Sequence, residues 1–333
     1  MINNALTIDV EDYFHVHAFS NVIRYQDWVN YECRIERNTY TILDILNNAK
    51  LPNRPTSPAN RTRNSQLAIR NPIKATFFIL GWIAERYPGL VRDIAAQGHE
   101  VASHGYRHEL VTNQTPDEFR TDVAKTKKML EDITGEEVVG YRASTYSIMK
   151  KTLWALRVLA EEGYRYDSSI FPVHHDVYGF PEAPRFPFKV SLNGRMANDV
   201  RLFERLNDSN TSNNSNDSNI LWEFPISTGR LLRQNIPIAG GGYFRLFPYW
   251  LVKRLLGQIS RTEQRPFIFY LHPWEFDPDQ PKINGAPLRS RLRHYLNLDK
   301  VENRFQRLLS DFNFVPIRDL MGKKPSTPFA PPR

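Results

Sequence analysis

The chain has 333 residues, 41% hydrophobic and 24% charged, with a net charge of +8. That composition suits one large α/β domain or two smaller ones. No apolar run approaches the roughly 18 residues of a membrane span, which excludes a transmembrane helix. Lys and Arg are spread along the chain rather than gathered in one patch with interleaved aromatics, which argues against a nucleic-acid binder.

In chain order, Ala5–Asp9 reads as a short buried strand with Asp9, Glu11 and Asp12 crowded at its end. Catalytic groups of α/β folds gather at such strand ends. Asn38–Ala49 has the apolar spacing of a helix, through Ile42, Leu43, Ile45 and Leu46. Residues 52–72 carry Pro52, Pro55 and Pro58 in a run of Asn, Arg and Ser and read as a surface excursion. Ala75–Leu80 is a continuous apolar strand, buried on both faces. Trp82–Gln97 is a helix that Gly98 stops. Glu100–Ser103 is the next strand. Thr115-Pro-Asp-Glu118 is a capping box that opens a helix to about Ile133.

Val138–Arg142 is a further strand and Thr152–Glu162 a further helix, ended at Gly163. This alternation argues for parallel βα units. Residues 207–219 are almost wholly Asn, Ser and Asp and read as a disordered loop. Ile220–Pro225 resumes a strand, Leu246–Ile259 is an apolar-rich helix, Pro266–Leu271 is the last clear strand, and Val301–Phe312 is a closing amphipathic helix. Lys323–Arg333 is a Pro-rich tail. The basic groups at Lys125–Lys128 and Arg289–Arg293 read as solvated helix faces, an anionic polymer or membrane surface being the other reading. The N-terminus lacks the basic and apolar regions of a signal peptide, so a cytoplasmic chain is expected, with the inner membrane face as a peripheral location. Cys33 is the lone cysteine, which gives no intrachain disulfide and fits a reducing compartment. Nothing in the sequence fixes an oligomeric state.

Four strand ends carry reactive groups: Asp9, Glu11 and Asp12; His104 and His108; Arg142; and His272. The two histidines are four apart in Val101-Ala-Ser-His-Gly-Tyr-Arg-His108, and one helix-like turn after Ser103 would put both imidazoles on the same side. Two neutral imidazoles and a carboxylate form a ligand set for a divalent metal such as zinc. Singly, each group has an ordinary explanation: solvated loop acids, a surface cation, a capped core histidine. Their convergence at one end of successive strands is what points to a site.

With these motifs in place, the sequence resembles the polysaccharide deacetylases of carbohydrate esterase family 4, the NodB-homology fold. The matching stretches are Leu6–Asp12, Ala75–Gly81, Gly98–His108, Gly140–Ser144 and Tyr270–Trp274. The segment from Glu223 to Phe244, with its Ala-Gly-Gly-Gly-Tyr-Phe run, is similar to the subgroup found with exopolysaccharide and exosortase-type sorting systems. The resemblance implies an α/β fold, a distorted (β/α) barrel of about seven strands. It places a single NodB-type domain at residues 1–321, with surface insertions at 52–72 and 207–219 and a flexible tail at 322–333.

It also implies metal-dependent removal of N-acetyl groups from an amino-sugar glycan. The metal would be zinc, with cobalt or nickel as alternatives, and would lower the pKa of a water and polarise the acetyl carbonyl. By this resemblance Asp9 is the base, Arg142 orients it, and His272 protonates the departing nitrogen. Backbone N–H groups near Ser144–Tyr146 would hold the oxyanion. The family's first motif has adjacent aspartates, whereas here Val10 follows Asp9. The carboxylate ligand is therefore Asp12 or Glu11, with Asp12 favoured because a turn after Val10 would aim it with Asp9. Asp167 is the candidate acid that tunes His272, with Glu223 as its rival. Tyr146, Trp274 and Tyr243 are candidates for stacking on a sugar ring, or else core aromatics. His15 and His17 would line the rim or pack, and His174 and His175 sit in a loop that could touch sugar. Two readings stay open beside the deacetylase: hydrolysis of a non-sugar C–N bond in a ureide or imide, and a non-catalytic carbohydrate-binding relative.

Overall fold

The computed structural model describes residues 2–49, 72–175, 177–192, 201–204, 220–231 and 234–321. The expected loop at 207–219, the tail from 322 and all but the last residue of the excursion at 52–72 lie outside the described residues.

Twelve strands are described: β1 (Asn3–Val10), β2 (Thr76–Ile79), β3 (Glu100–Ser103), β4 (Gly140–Tyr141), β5 (Tyr166–Asp167), β6 (Phe188–Ser191), β7 (Arg201–Glu204), β8 (Ile220–Glu223), β9 (Thr228–Leu231), β10 (Gln234–Pro237), β11 (Ile268–Leu271) and β12 (Asn313–Val315). Seven pair in parallel in the order β11-β1-β2-β3-β4-β5-β8. Strands β6 and β7 continue the sheet antiparallel beyond β8, and β12 pairs with the start of β1. Every residue of β2, β3 and β11 is buried, as are all of β1 but Asn3, which matches parallel strands covered on both faces. The chain after β8 drifts across to the far edge. There Ile268 N–H donates to Ser227 Oγ at 2.8 Å and Ser227 N–H to the Ile268 carbonyl at 3.4 Å. The sheet thus curls into a distorted barrel whose seam is a short side-chain and backbone link rather than a full ladder.

The register brings the reactive strand ends level. Ile8 lies opposite Leu271, which sets Asp9 beside His272. Ile79 lies opposite Ser103, and Ser103 opposite Tyr141, which sets His104 beside Arg142. All four groups therefore share the carboxyl rim of the parallel strands.

Helices α1 (Ile35–Asn48), α4 (Pro116–Thr134), α5 (Trp154–Glu161) and α9 (Val301–Asp311) lie where the sequence places them. The capping box of α4 is made, Thr115 Oγ1 accepting from Glu118 N–H and Glu118 accepting from Thr115 N–H. The expected helix over 82–97 is instead two, α2 (Gly81–Arg86) and α3 (Pro88–Ala96). Pro88 forces its predecessor out of the helical region, and Tyr87 sits at φ −125°, ψ 54°. The helix expected over 246–259 is α7 (Tyr249–Gly257), which starts after Pro248 and runs into a π-helical turn at Gln258–Thr262; a further short helix, α6 (Gly241–Leu246), precedes it. An eight-residue helix, α8 (Leu288–Tyr295), precedes α9. Before α6 the chain runs against β11, and Gly240 (φ 133°) has no room for a side chain: a Cβ there would meet the Tyr270 carbonyl oxygen at 1.9 Å.

Candidate active site

The end of β1 sets the first groups. A tight turn, with Glu11 N–H donating to the Asp9 carbonyl at 2.9 Å, keeps Asp9 and Glu11 within reach of the same partners. Asp9 Oδ1 accepts from Arg142 Nη1 at 2.6 Å, and both side chains are buried. Arg142 is itself fixed by Thr7 Oγ1, Ser168 Oγ and the Ser168 carbonyl. An arginine so fully bonded cannot swing away, so it holds one Asp9 oxygen and leaves the other facing His272, with Asp9 Oδ2 to His272 Nε2 at 4.0 Å.

Glu11 Oε2 lies 2.9 Å from His108 Nε2, and Glu11 Oε1 lies 3.3 Å from His272 Nε2. One ligand atom each of Glu11, His104 and His108 can be chosen within 4.8 Å of one another. The two histidines do not meet through a helical turn. Gly105 and His108 take left-handed backbone angles (φ 72° and 53°) that fold the chain back, with the imidazole centroids 5.4 Å apart. His104 Nδ1 lies 2.7 Å from the Arg142 carbonyl, so Nδ1 carries the proton and Nε2 keeps its lone pair. Burial pushes the His104 imidazole down to about 4, which keeps it neutral. Burial would raise the Glu11 carboxyl, but His108 beside it outweighs that and holds it well below the ordinary carboxylate range. A buried carboxylate and a neutral imidazole with a free lone pair are the forms that ligate a divalent cation, so these residues fit the metal the fold implies.

Asp12 is not part of this cluster. Both its oxygens accept backbone N–H groups, Oδ1 from Tyr13 at 2.8 Å and Oδ2 from Arg34. Where the sequence favoured Asp12 over Glu11, the turn after Val10 brings Glu11, rather than Asp12, up to the histidines. Asp12 instead anchors the following loop. His15 accepts the Asp12 N–H through Nδ1 at 2.9 Å and is buried among Phe14, Trp28 and Trp82, a packing role.

His272 lies at the end of β11, its Nδ1 2.7 Å from Glu275 Oε1. Glu275 also accepts the His272 N–H, and its other oxygen accepts from Arg245 Nε at 2.7 Å. Burial opposes a charge on His272, but Glu275, Glu11 and Asp9 outweigh it and push its pKa up to about 9. The acid beside His272 is therefore Glu275, and neither Asp167 nor Glu223 reaches it. Those two carboxyls lie beside each other on the paired strands β5 and β8, Asp167 bonded to Ser169 and Glu223 to the Ile170 N–H. Burial raises both, Glu223 the more because Asp167 lies beside it. Sequence reasoning passed over Glu275, although its spacing carried a signal: His272-Pro-Trp-Glu275 is a capping-box spacing, with an acid three residues on that reaches back.

Of the three candidate stacking aromatics, two are packed away. Tyr146 is buried against Phe171, Tyr178 and Tyr270. Trp274 is buried and stacked on His272 and His294. Tyr243 is half-buried and lies near Tyr178. Thr145 and Tyr146 both take left-handed angles, and Tyr146 N–H is committed to the Ala143 carbonyl at 3.1 Å.

Fold and site together define a NodB-type α/β frame: a curled parallel sheet with carboxylates and histidines on one rim. Residues 62–166 match the family model described as polysaccharide deacetylase, and residues 196–322 match a domain of unknown function, DUF3473. The chain is a relative of the polysaccharide deacetylases of carbohydrate esterase family 4. It is 40% identical over 63 residues to a peptidoglycan-N-acetylglucosamine deacetylase of Bacillus cereus, covering 19% of this chain and 23% of that one. It is 34% identical over 112 residues to a peptidoglycan deacetylase-like protein of Gibberella zeae, covering 32% of each. These matches span a third or less of the curated relatives' length. The structure of a putative polysaccharide deacetylase from Mycobacterium smegmatis superposes with a TM-score of 0.51 at 17% identity, covering 99% of this chain and 96% of the other, which shows the shared fold. No helix among the described residues is long and apolar enough to cross a membrane.

Proposed function

We propose that this chain is a metal-dependent deacetylase that hydrolyses N-acetyl groups of an amino-sugar glycan or its precursor. One observation carries the reading: an arginine-locked carboxylate, Asp9, and His272 face each other at 4.0 Å beside the Glu11, His104 and His108 trio. Glu11, His104 and His108 would hold the cation, zinc by ligand type with cobalt or nickel as alternatives. Such a cation supplies Lewis acidity, making a water acidic and the acetyl carbonyl electrophilic.

The chain's own groups do the rest. Asp9 accepts the proton of the attacking water through the oxygen that Arg142 leaves free. Arg142 keeps that carboxylate pointed. The Ser144 and Thr145 amides are the candidate oxyanion donors, since Tyr146 N–H is already used. His272 carries a proton at neutral pH and delivers it from Nε2 to the departing nitrogen, which makes the amine a leaving group. Glu275 fixes the ring through Nδ1 and favours its charged form.

The test is acetate release from N-acetylglucosamine oligomers and from peptidoglycan, with chelated protein and after adding back zinc, cobalt or nickel. Release that depends on the added metal supports the reading. Turnover of ureides or imides without acetate release would replace it with a different C–N hydrolase, and glycan binding without turnover with a non-catalytic relative.

A further inference from the structure

Helix α8 is built inside out. An isolated surface helix normally turns its apolar stripe to the core. Here Leu288, Leu292 and Leu296 follow at successive fourth positions and are 69%, 61% and 38% exposed. The face turned inward carries His294 instead, buried, bonded to Gln280 Oε1 at 2.6 Å and stacked on Trp274. Next to the leucine stripe runs a cationic one, Arg289 and Arg293, both exposed and in no ion pair among the described residues.

The segment bonded to the end of α8 also exposes large apolar side chains. Arg245 Nη1 donates to the Leu296 carbonyl at 3.0 Å, and Asn297 Nδ2 donates to the Arg245 carbonyl at 2.9 Å. The next residue, Leu246, is 55% exposed, and Trp250, four further on, is 64% exposed. Arg254 is exposed one turn beyond Trp250. Large leucines beside arginines, with a tryptophan at the edge, suit an interface that is apolar below and phosphate-rich above. Arginine stems lie along the apolar layer while their guanidinium heads stay at the phosphates, and an indole tolerates the boundary.

We propose that α8 and the Leu246–Trp250 corner form a docking surface for an anionic lipid bilayer, with the leucines in the headgroup–acyl boundary and Arg289 and Arg293 at the phosphates. The charge complementarity selects this occupant. An antiparallel two-fold contact of the stripe with a second copy would set the two arginine rows on the same edge, a like-charge arrangement that opposes association. The chain's net charge of +8 adds long-range attraction to an anionic surface. The same helix is tied to the candidate site, since Arg245 bonds both the α8 end and Glu275, the partner of His272. Docking would thus bring the rim to the lipid surface. The inference rests on exposure and charge alone and stands whether or not the chain is a deacetylase.

The test is co-sedimentation of the full chain with vesicles of phosphatidylcholine alone and of phosphatidylcholine mixed with phosphatidylglycerol. Binding is expected to the anionic vesicles only, weakened several-fold by high salt. It is expected to fall about tenfold or more in Leu288→Ser with Leu292→Ser, and equally in Arg289→Glu with Arg293→Glu. Because all four side chains are exposed, both double variants should keep the parent melting temperature, which checks folding. Failure to bind anionic vesicles, equal binding to neutral ones, or full binding by either folded variant would overturn the proposal. A concentration-dependent dimer that the leucine variant abolishes would assign the stripe to a second copy and overturn it as well.

Discussion

Glu275→Gln is the sharpest probe of the proposed proton donor. Glu275 is buried, 2.7 Å from His272 Nδ1, and the substitution removes its charge while keeping an oxygen that can accept from the ring. An opposite charge at that distance is worth about 1–3 pKa units, and each unit is about 1.4 kcal/mol. His272, held near 9 by Glu275, Glu11 and Asp9 together, should then titrate about 1–3 units lower. A cation on Glu11 would reduce that carboxylate's pull on His272, so in the loaded protein Glu275 supplies most of what remains. The sign follows from the role. A general acid works only while protonated, so kcat/KM falls as pH rises through its pKa, and the variant's falling limb should move to lower pH by the same 1–3 units. The assay is kcat/KM for acetate release across pH with saturating metal. The variant also leaves the buried Arg245 guanidinium without its carboxylate, at a cost of roughly 3–5 kcal/mol in stability, so the profile must be taken well below the new melting temperature. Arg245→Lys is the control: it should lower the melting temperature and leave the limb in place. A uniform loss of rate in Glu275→Gln with the limb unmoved would refute the assignment of Glu275 as the group that sets the His272 proton.

His104→Ala, His108→Ala and Glu11→Gln should each purify with little metal, whereas Asp12→Asn should keep full stoichiometry and lose about 1–3 kcal/mol of stability, because its oxygens serve two backbone amides. Metal analysis beside thermal melts decides this, and metal loss in Asp12→Asn alone would return the ligand role to it. Asp9→Asn should bind metal and lose nearly all turnover, since an amide cannot take the water's proton; parent-like rates would remove Asp9 as the base. His272→Ala should lose far more rate on N-acetyl sugars than on activated aryl acetates, whose leaving groups need no proton, and equal losses would make His272 structural. His99, buried with Nδ1 accepting the Ala75 N–H, is pushed down to about 3. Between that value and the ordinary histidine value near 6.5 only the unfolded chain takes the proton, so stability should fall as pH falls across that window by up to about 5 kcal/mol. His99→Gln, which keeps an acceptor, should flatten the slope of melting temperature between pH 7 and pH 4, and an unchanged slope would show that other groups set it.

The strand ends were legible because parallel βα units place reactive groups on one rim, and buried parallel strands write themselves as unbroken apolar runs such as Ala75–Leu80. Two kinds of information were not. One is where a single-residue turn aims a side chain. After Val10 the spacing to Glu11 and Asp12 permits either acid, and the choice is made by contacts distant in sequence: the Arg34 N–H claims Asp12, and His108 and His272 claim Glu11. The other is which buried acid serves which cation. Asp167 and Glu223 stand at strand ends as a catalytic acid would, yet adjacent strands turn them toward each other. Glu275 looks like a helix cap, and it is one. The same oxygen that accepts the His272 N–H also reaches the His272 ring, because a cap acid at the third position folds back over the residue that opens the turn. Local capping geometry thus places the group that this reading needs to keep His272 charged, and Arg245, brought in by the Gly240 close approach to β11, keeps that group ionised. The match to DUF3473 covers Arg245 and Glu275, while Asp9 and Glu11 precede the deacetylase match that holds His104, His108 and Arg142. Under the proposed mechanism, neither matched region carries a working set by itself.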